Sequence, residues 1–126
     1  MYEANFIATL DTVLRLERTP LVLRDSMSQI YGPESEEAQY YQRKAWEIHP
    51  VNFKKIKAIL GNEGWPDSTL IGPSGNLIIC GVLQHHDQQT RESYIPRMKQ
   101  AVLDRELEAR WLVRTEDRIA TDKGEL

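Results

Sequence analysis

Apolar residues recur along most of this chain at the spacing of one helix face. Phe6, Ile7, Leu10, Val13 and Leu14 form a stripe that predicts an amphipathic helix up to Leu16. Thr19-Pro20 reads as an interruption, with Thr19 as a cap and Pro20 at a first helical position. A second helix over 21–31 then ends at Gly32-Pro33. Ser35, followed by Glu36, Glu37 and Ala38, marks the next start, with acidic residues in the first turn. His49-Pro50 is expected to break that helix, because the residue before proline is pushed out of the α region. Phe53, Ile56, Ile59 and Leu60 resume the helical spacing until Gly61 or Gly64.

A loop rich in Gly, Pro, Ser and Asp follows, from Gly64-Trp65-Pro66 to Gly75-Asn76. The apolar run Leu77 to Leu83 has the length of either a buried strand or a buried helix. No second strand candidate exists to pair with it, so a helix is expected, since a lone strand would leave its backbone unpaired. Tyr94, Ile95, Met98, Ala101 and Val102 form the next stripe, with Pro96 expected in its first turn. Leu107, Trp111, Leu112 and Ile119 form the last. The expectation is a mostly α chain, a single compact helical domain over 1–126 with about six helices and one long ordered loop.

Composition changes this picture little. The 126 residues, 40% hydrophobic and 28% charged, suit one ordinary globular domain. A net charge of −3 argues against a general nucleic-acid binder, and Lys54, Lys55 and Lys57 read as the wet face of a helix. No apolar run has the length of a membrane span, so no membrane partner is expected. The first residues lack a basic flank and apolar core, which points to the cytoplasm; an exported chain already freed of its signal would look the same. The lone cysteine, Cys80, sits in the apolar run and reads as a small buried hydrophobe.

Three polar clusters are candidates for chemistry. Gln84-His85-His86-Asp87 closes the apolar run; its adjacent histidines point about 100° apart on a helix, a poor arrangement for gripping one metal. Glu116-Asp117-Arg118 reads either as surface ion pairs or as a clamp for an anion. His49 with Asn52 precedes the Trp65 loop, where a tryptophan usually anchors a core or loop. In order, His49, His86-Asp87 and Asp117 resemble the loose ligand pattern of the HD metal phosphohydrolases, a third-ranked reading. No zinc-binding histidine pair, phosphate-cradling glycine loop or nucleophile elbow is present.

A more specific resemblance covers the last two-thirds of the chain. Gly64-Trp65-Pro66, Leu70-Ile71-Gly72, Leu83-Gln84-His85 with Asp87, Tyr94-Ile95-Pro96-Arg97-Met98 and Glu116-Asp117-Arg118-Ile119 resemble, in order and spacing, a bacterial domain-of-unknown-function family, the one numbered six-six-two-four. The match is best over 50–126 and weakest over 1–33. Asp25-Ser26 departs from the family's Asp-Gln pair, and Asp104-Arg105-Glu106 stands where a glycine is common. The chain stops at Gly124-Glu125-Leu126, where members continue into a Gln-x-Tyr-Gly-x-Gln segment. The resemblance implies a helical fold and a recurring polar set, not an activity.

On that basis the expected site is a polar pocket for a small, anionic ligand or substrate, with enzymatic activity left open and no cofactor or metal called. His85 would act as acid or base, oriented by Asp117; Gln84, Arg118 and Trp65 would contact the ligand. The competing expectation is a protein-interaction module whose polar cluster only locks the fold.

Overall fold

The computed structural model describes residues 6–61 and 64–124. Within them six helices follow in order: α1 (Ile7–Tyr31), α2 (Glu36–Leu60), α3 (Ser68–Ile71), α4 (Gly75–Gln84), α5 (Gln88–Leu103) and α6 (Ala109–Asp122), with no strand among the described residues. The starts and stops follow local chemistry. Ser35 caps α2, its side chain accepting from the Ala38 N–H at 3.1 Å. Gly32 (φ 99°) and Gly61 (φ 68°) end α1 and α2 in a backbone region that favours glycine. Asp67 caps the short α3, and Asp87 caps α5 by accepting from the Thr90 N–H at 2.7 Å.

The prolines overturn three expectations. Pro20 lies inside α1 and Pro50 inside α2, so what read as four helices is a hairpin of two, each of 25 residues. Thr19 is accordingly an interior position and caps nothing. Pro96 sits two turns inside α5, not in its first turn, because α5 begins at Gln88, earlier than its apolar stripe shows. Each interior proline withholds one N–H from the carbonyl four residues back. That loss is offset in α1 and α2 because the two helices lie against each other in the largest contact of the fold.

The centre of the domain is α4. Seven of its ten residues are buried, and it touches each of the other five helices. Ile78, Ile79, Cys80, Val82 and Leu83 pack among Leu10 and Val13 of α1, Ile56, Ile59 and Leu60 of α2, Met98 and Ala101 of α5, and Trp111 of α6. A helix apolar on nearly every side is stable only when surrounded in this way. Burial also pushes the Cys80 thiol up to about 12, with the Glu108 carboxylate adding to the effect, so it behaves as a packing group.

One polar chain braces the lower end of this core. The buried indole of Trp65 donates to Asn76 Oδ1 at 2.8 Å. Asn76 Nδ2 in turn donates to the Glu106 carbonyl (2.9 Å) and to Glu108 Oε1 (3.0 Å), and Trp111 Nε1 donates to the other Glu108 oxygen (2.9 Å). These bonds hold the Glu108 carboxyl below its usual range, that from Asn76 most of all. Asn76→Ala strands the buried Trp65 N–H and is expected to cost about 2 kcal/mol in urea unfolding. A loss within experimental error would remove this brace from the account of stability.

Candidate functional site

Helices α1, α2, α4, α5 and α6 each send polar side chains to one region beside the C-terminal end of α4. From α2, His49 Nδ1 donates to Glu17 Oε1 of α1 at 3.2 Å. A carboxylate only accepts, so Nδ1 carries the hydrogen of this bond. Asn52, fully buried one helical turn further on, donates from Nδ2 to the same Glu17 oxygen (3.2 Å) and to the Val13 carbonyl (3.3 Å). The His86 ring stacks between α2 side chains, its centroid 4.0 Å from Phe53 and 5.6 Å from His49.

Arg91 joins this cluster to α6. Its side chain is buried, donating to the Gln84 carbonyl at 3.1 Å, to the His86 carbonyl, and to Asp122 Oδ2. Asp122 also faces Arg118 Nε at 3.7 Å. A buried guanidinium is costly unless its charge is paired, and here a carboxylate and two carbonyls at a helix end do so.

Five buried side-chain atoms among the described residues have no hydrogen-bond partner: His49 Nε2, Asn52 Oδ1, Gln84 Nε2, His86 Nδ1 and Arg91 Nε. All five belong to residues of this cluster. Buried polar atoms are usually satisfied by protein groups or ordered water, and here the unpaired ones gather at the end of α4.

Beside the cluster, a groove of about 350 Å³ opens between α1 and α4. Its floor is apolar, with Leu14, Leu21, Leu77 and Val82, while Glu17, Arg18 and His85 give it a polar side. Glu17 therefore belongs both to the groove and to the buried cluster. His85 caps α4 and is exposed at this edge. Its pKa lies below the ordinary imidazole value. Loss of solvent is the main cause, opposed by the Glu17 charge and reinforced by Arg118, His49 and Arg91.

The sequence-predicted residues separate into two groups. Gln84, His85 and Arg118 are brought to this region: the Gln84 carbonyl binds Arg91, and Arg118 acts on His85 electrostatically. Asp117 is exposed on α6, and the carboxylate that acts on His85 is Glu17. The pairing of Asp117 with His85 is therefore replaced by Glu17 with His49 and, weakly, His85. Trp65 lies in the Asn76–Glu108 brace and is a structural anchor, not a wall beside His85. Glu17, Arg91 and Asp122 escaped the sequence reading, since each looks like an ordinary charged position on a helix.

The metal-phosphohydrolase arrangement does not form. His49 and His86 do meet and Asp87 Oδ2 lies 3.6 Å from His86 Nδ1, but Asp87 Oδ1 caps α5 and Asp117 is exposed on α6. Among the described residues no group of three or more His, Cys, Asp or Glu side chains is placed to hold a metal ion. No helix among them is long and apolar enough to cross a membrane.

The described residues thus form an all-helical domain with a buried polar cluster at the end of its central helix. Compared with family models, curated proteins and solved structures, the chain matches none.

The depressed His85 pKa has a consequence for stability. Below the ordinary value of 6.5 the unfolded chain takes up a proton on His85 more readily than the folded one does. Its contribution is therefore full above 6.5 and is lost as pH falls through the folded-state value. Histidine NMR titration should place His85 below 6.5, and His85→Gln should flatten the acid limb of the stability profile. An unshifted titration would contradict the electrostatics described here.

Proposed function

We propose that this chain binds a small anionic ligand or substrate where the ends of α4 and α6 meet α1 and α2. The observation that carries the reading is the gathering of every partnerless buried polar atom among the described residues into this one cluster. The charges support an anion: the Arg18 guanidinium has no ion pair with a described residue, and His85 has a ring N–H to donate. The Glu17–His49 pair gives the site an imidazole held in place by a carboxylate, which is the route by which binding would extend to catalysis. The resemblance to the bacterial family bears on the same place, because its Gln-His and Asp-Arg pairs include Gln84, His85 and Arg118.

The reading is tested by thermal shift with inorganic phosphate, small carboxylates and phosphorylated metabolites, comparing wild type with His85→Ala and Arg118→Ala. A ligand at a hundred times its Kd stabilises by about 2.7 kcal/mol. Wild type should gain stability with at least one anion, and both variants should stay folded and lose most of that gain. If no anion stabilises wild type, the reading falls.

An interaction module is the second reading, favoured by the apolar residues exposed on the outer half of the α1–α2 hairpin: Val22, Ile30, Tyr31, Tyr40 and Trp46. It predicts self-association in light scattering that Trp46→Glu with Ile30→Glu abolishes; a monomer at all concentrations would count against a self-partner.

A further inference from the structure

The groove between α1 and α4 has a composition and a direction. Ile7 lies over Gly72, just before α4, and Glu17 acts on His85, just after it, so the two helices run the same way. The α4 wall is the one stripe of that helix left uncovered. Leu77, Gly81 and His85 recur at i, i+4 and i+8, with Leu77 half exposed although its neighbours in the apolar run are buried. At Gly81 an added Cβ would meet nothing within 4 Å, so the missing side chain is what leaves the groove open.

Opposite this stripe, α1 supplies Leu14 and Leu21 on either side of Glu17 and Arg18. Glu17 is engaged by His49 and Asn52, whereas the Arg18 guanidinium makes no hydrogen bond or ion pair with a described residue. The groove therefore joins an uncovered apolar floor to an unpaired cation and an imidazole.

We infer that this groove takes the hydrocarbon chain of an amphipathic anion, with the anionic head held at Arg18 and His85. This rests on the small-anion reading and extends it to a class of ligand. The size suits it: about 350 Å³ is in the small-ligand range and too little for a protein helix 10–12 Å across. From Leu77 to His85 the wall rises roughly 12 Å at 1.5 Å per residue, the span of an extended chain of roughly nine carbons. Carboxylate and phosphate monoester heads share the chemistry that Arg18 and His85 recognise.

The test measures Kd by calorimetry for a series of straight-chain carboxylates from acetate to dodecanoate, with octyl phosphate, inorganic phosphate and octanol alongside. Affinity should rise about two- to threefold per methylene up to roughly nine carbons and then level off, as for partly buried CH₂ groups. The comparison of octanoate with octyl phosphate identifies the preferred head. Gly81→Phe, which fills the groove, should abolish the chain-length dependence, and so should Leu77→Gln, a change at an exposed position that the fold tolerates. Arg18→Ala should lower affinity for both heads at least fivefold.

If short and long anions bind equally well, the groove inference is overturned while the small-anion reading stands. If octanol binds as tightly as octanoate, the anionic head at Arg18 and His85 is overturned; if no anion of any length binds, both readings fall together.

Discussion

A ten-residue helix that is apolar on nearly every side imposes the architecture of this domain. Such a segment cannot face water, and without a partner strand it cannot become a sheet, so α4 is stable only when enclosed. The α1–α2 hairpin covers one side and the α5–α6 pair covers another, leaving a single stripe through Leu77 and Gly81 uncovered. Enclosure then creates a second requirement where α4 stops. Its end lies within the core, and Arg91 is drawn inside to satisfy its last carbonyl, at Gln84, and that of His86 just beyond. The buried charge brings Asp122 with it, and the polar region grows from that necessity.

The two ends of α4 have been treated differently. At the start, Trp65, Asn76, Glu108 and Trp111 form a network in which each donor finds an acceptor. At the finish, His49, Asn52, Gln84, His86 and Arg91 each retain an atom without one. Glu108 at the first end is exposed, whereas the second network is buried, and both hold helices together. A fully satisfied network locks a fold, and a partly satisfied one is held at a cost in stability.

Much of the fold could be read from the residues in order. Ser35 with its acidic first turn, Gly32, Gly61 and the unpaired apolar run all mark features that are present, because each acts through its nearest neighbours. The prolines misled because their local cost is real but smaller than the gain from packing two long helices along their length. The site was legible only in part. Gln84 and His85 stand out beside the apolar run, and Arg118 stands out among charges at helical spacing. Glu17 and His49 lie on different helices and acquire meaning only when α1 and α2 pair. Breaking both helices at proline in the reading also hid that pairing, since it set His49 at a turn where it belongs to a helix face.

The residues of the polar region come from nearly the whole length of the described chain, with Glu17 midway along α1 and Asp122 at the last turn of α6. No fragment of the domain contains the region, and it assembles only when all five long helices are in place. Occupancy of this region is therefore coupled to global unfolding and not to the opening of any one loop. A molecule bound here would slow hydrogen exchange at amides throughout the core, in Met98 and Ile56 as much as beside the site, so the domain would register its ligand as a whole.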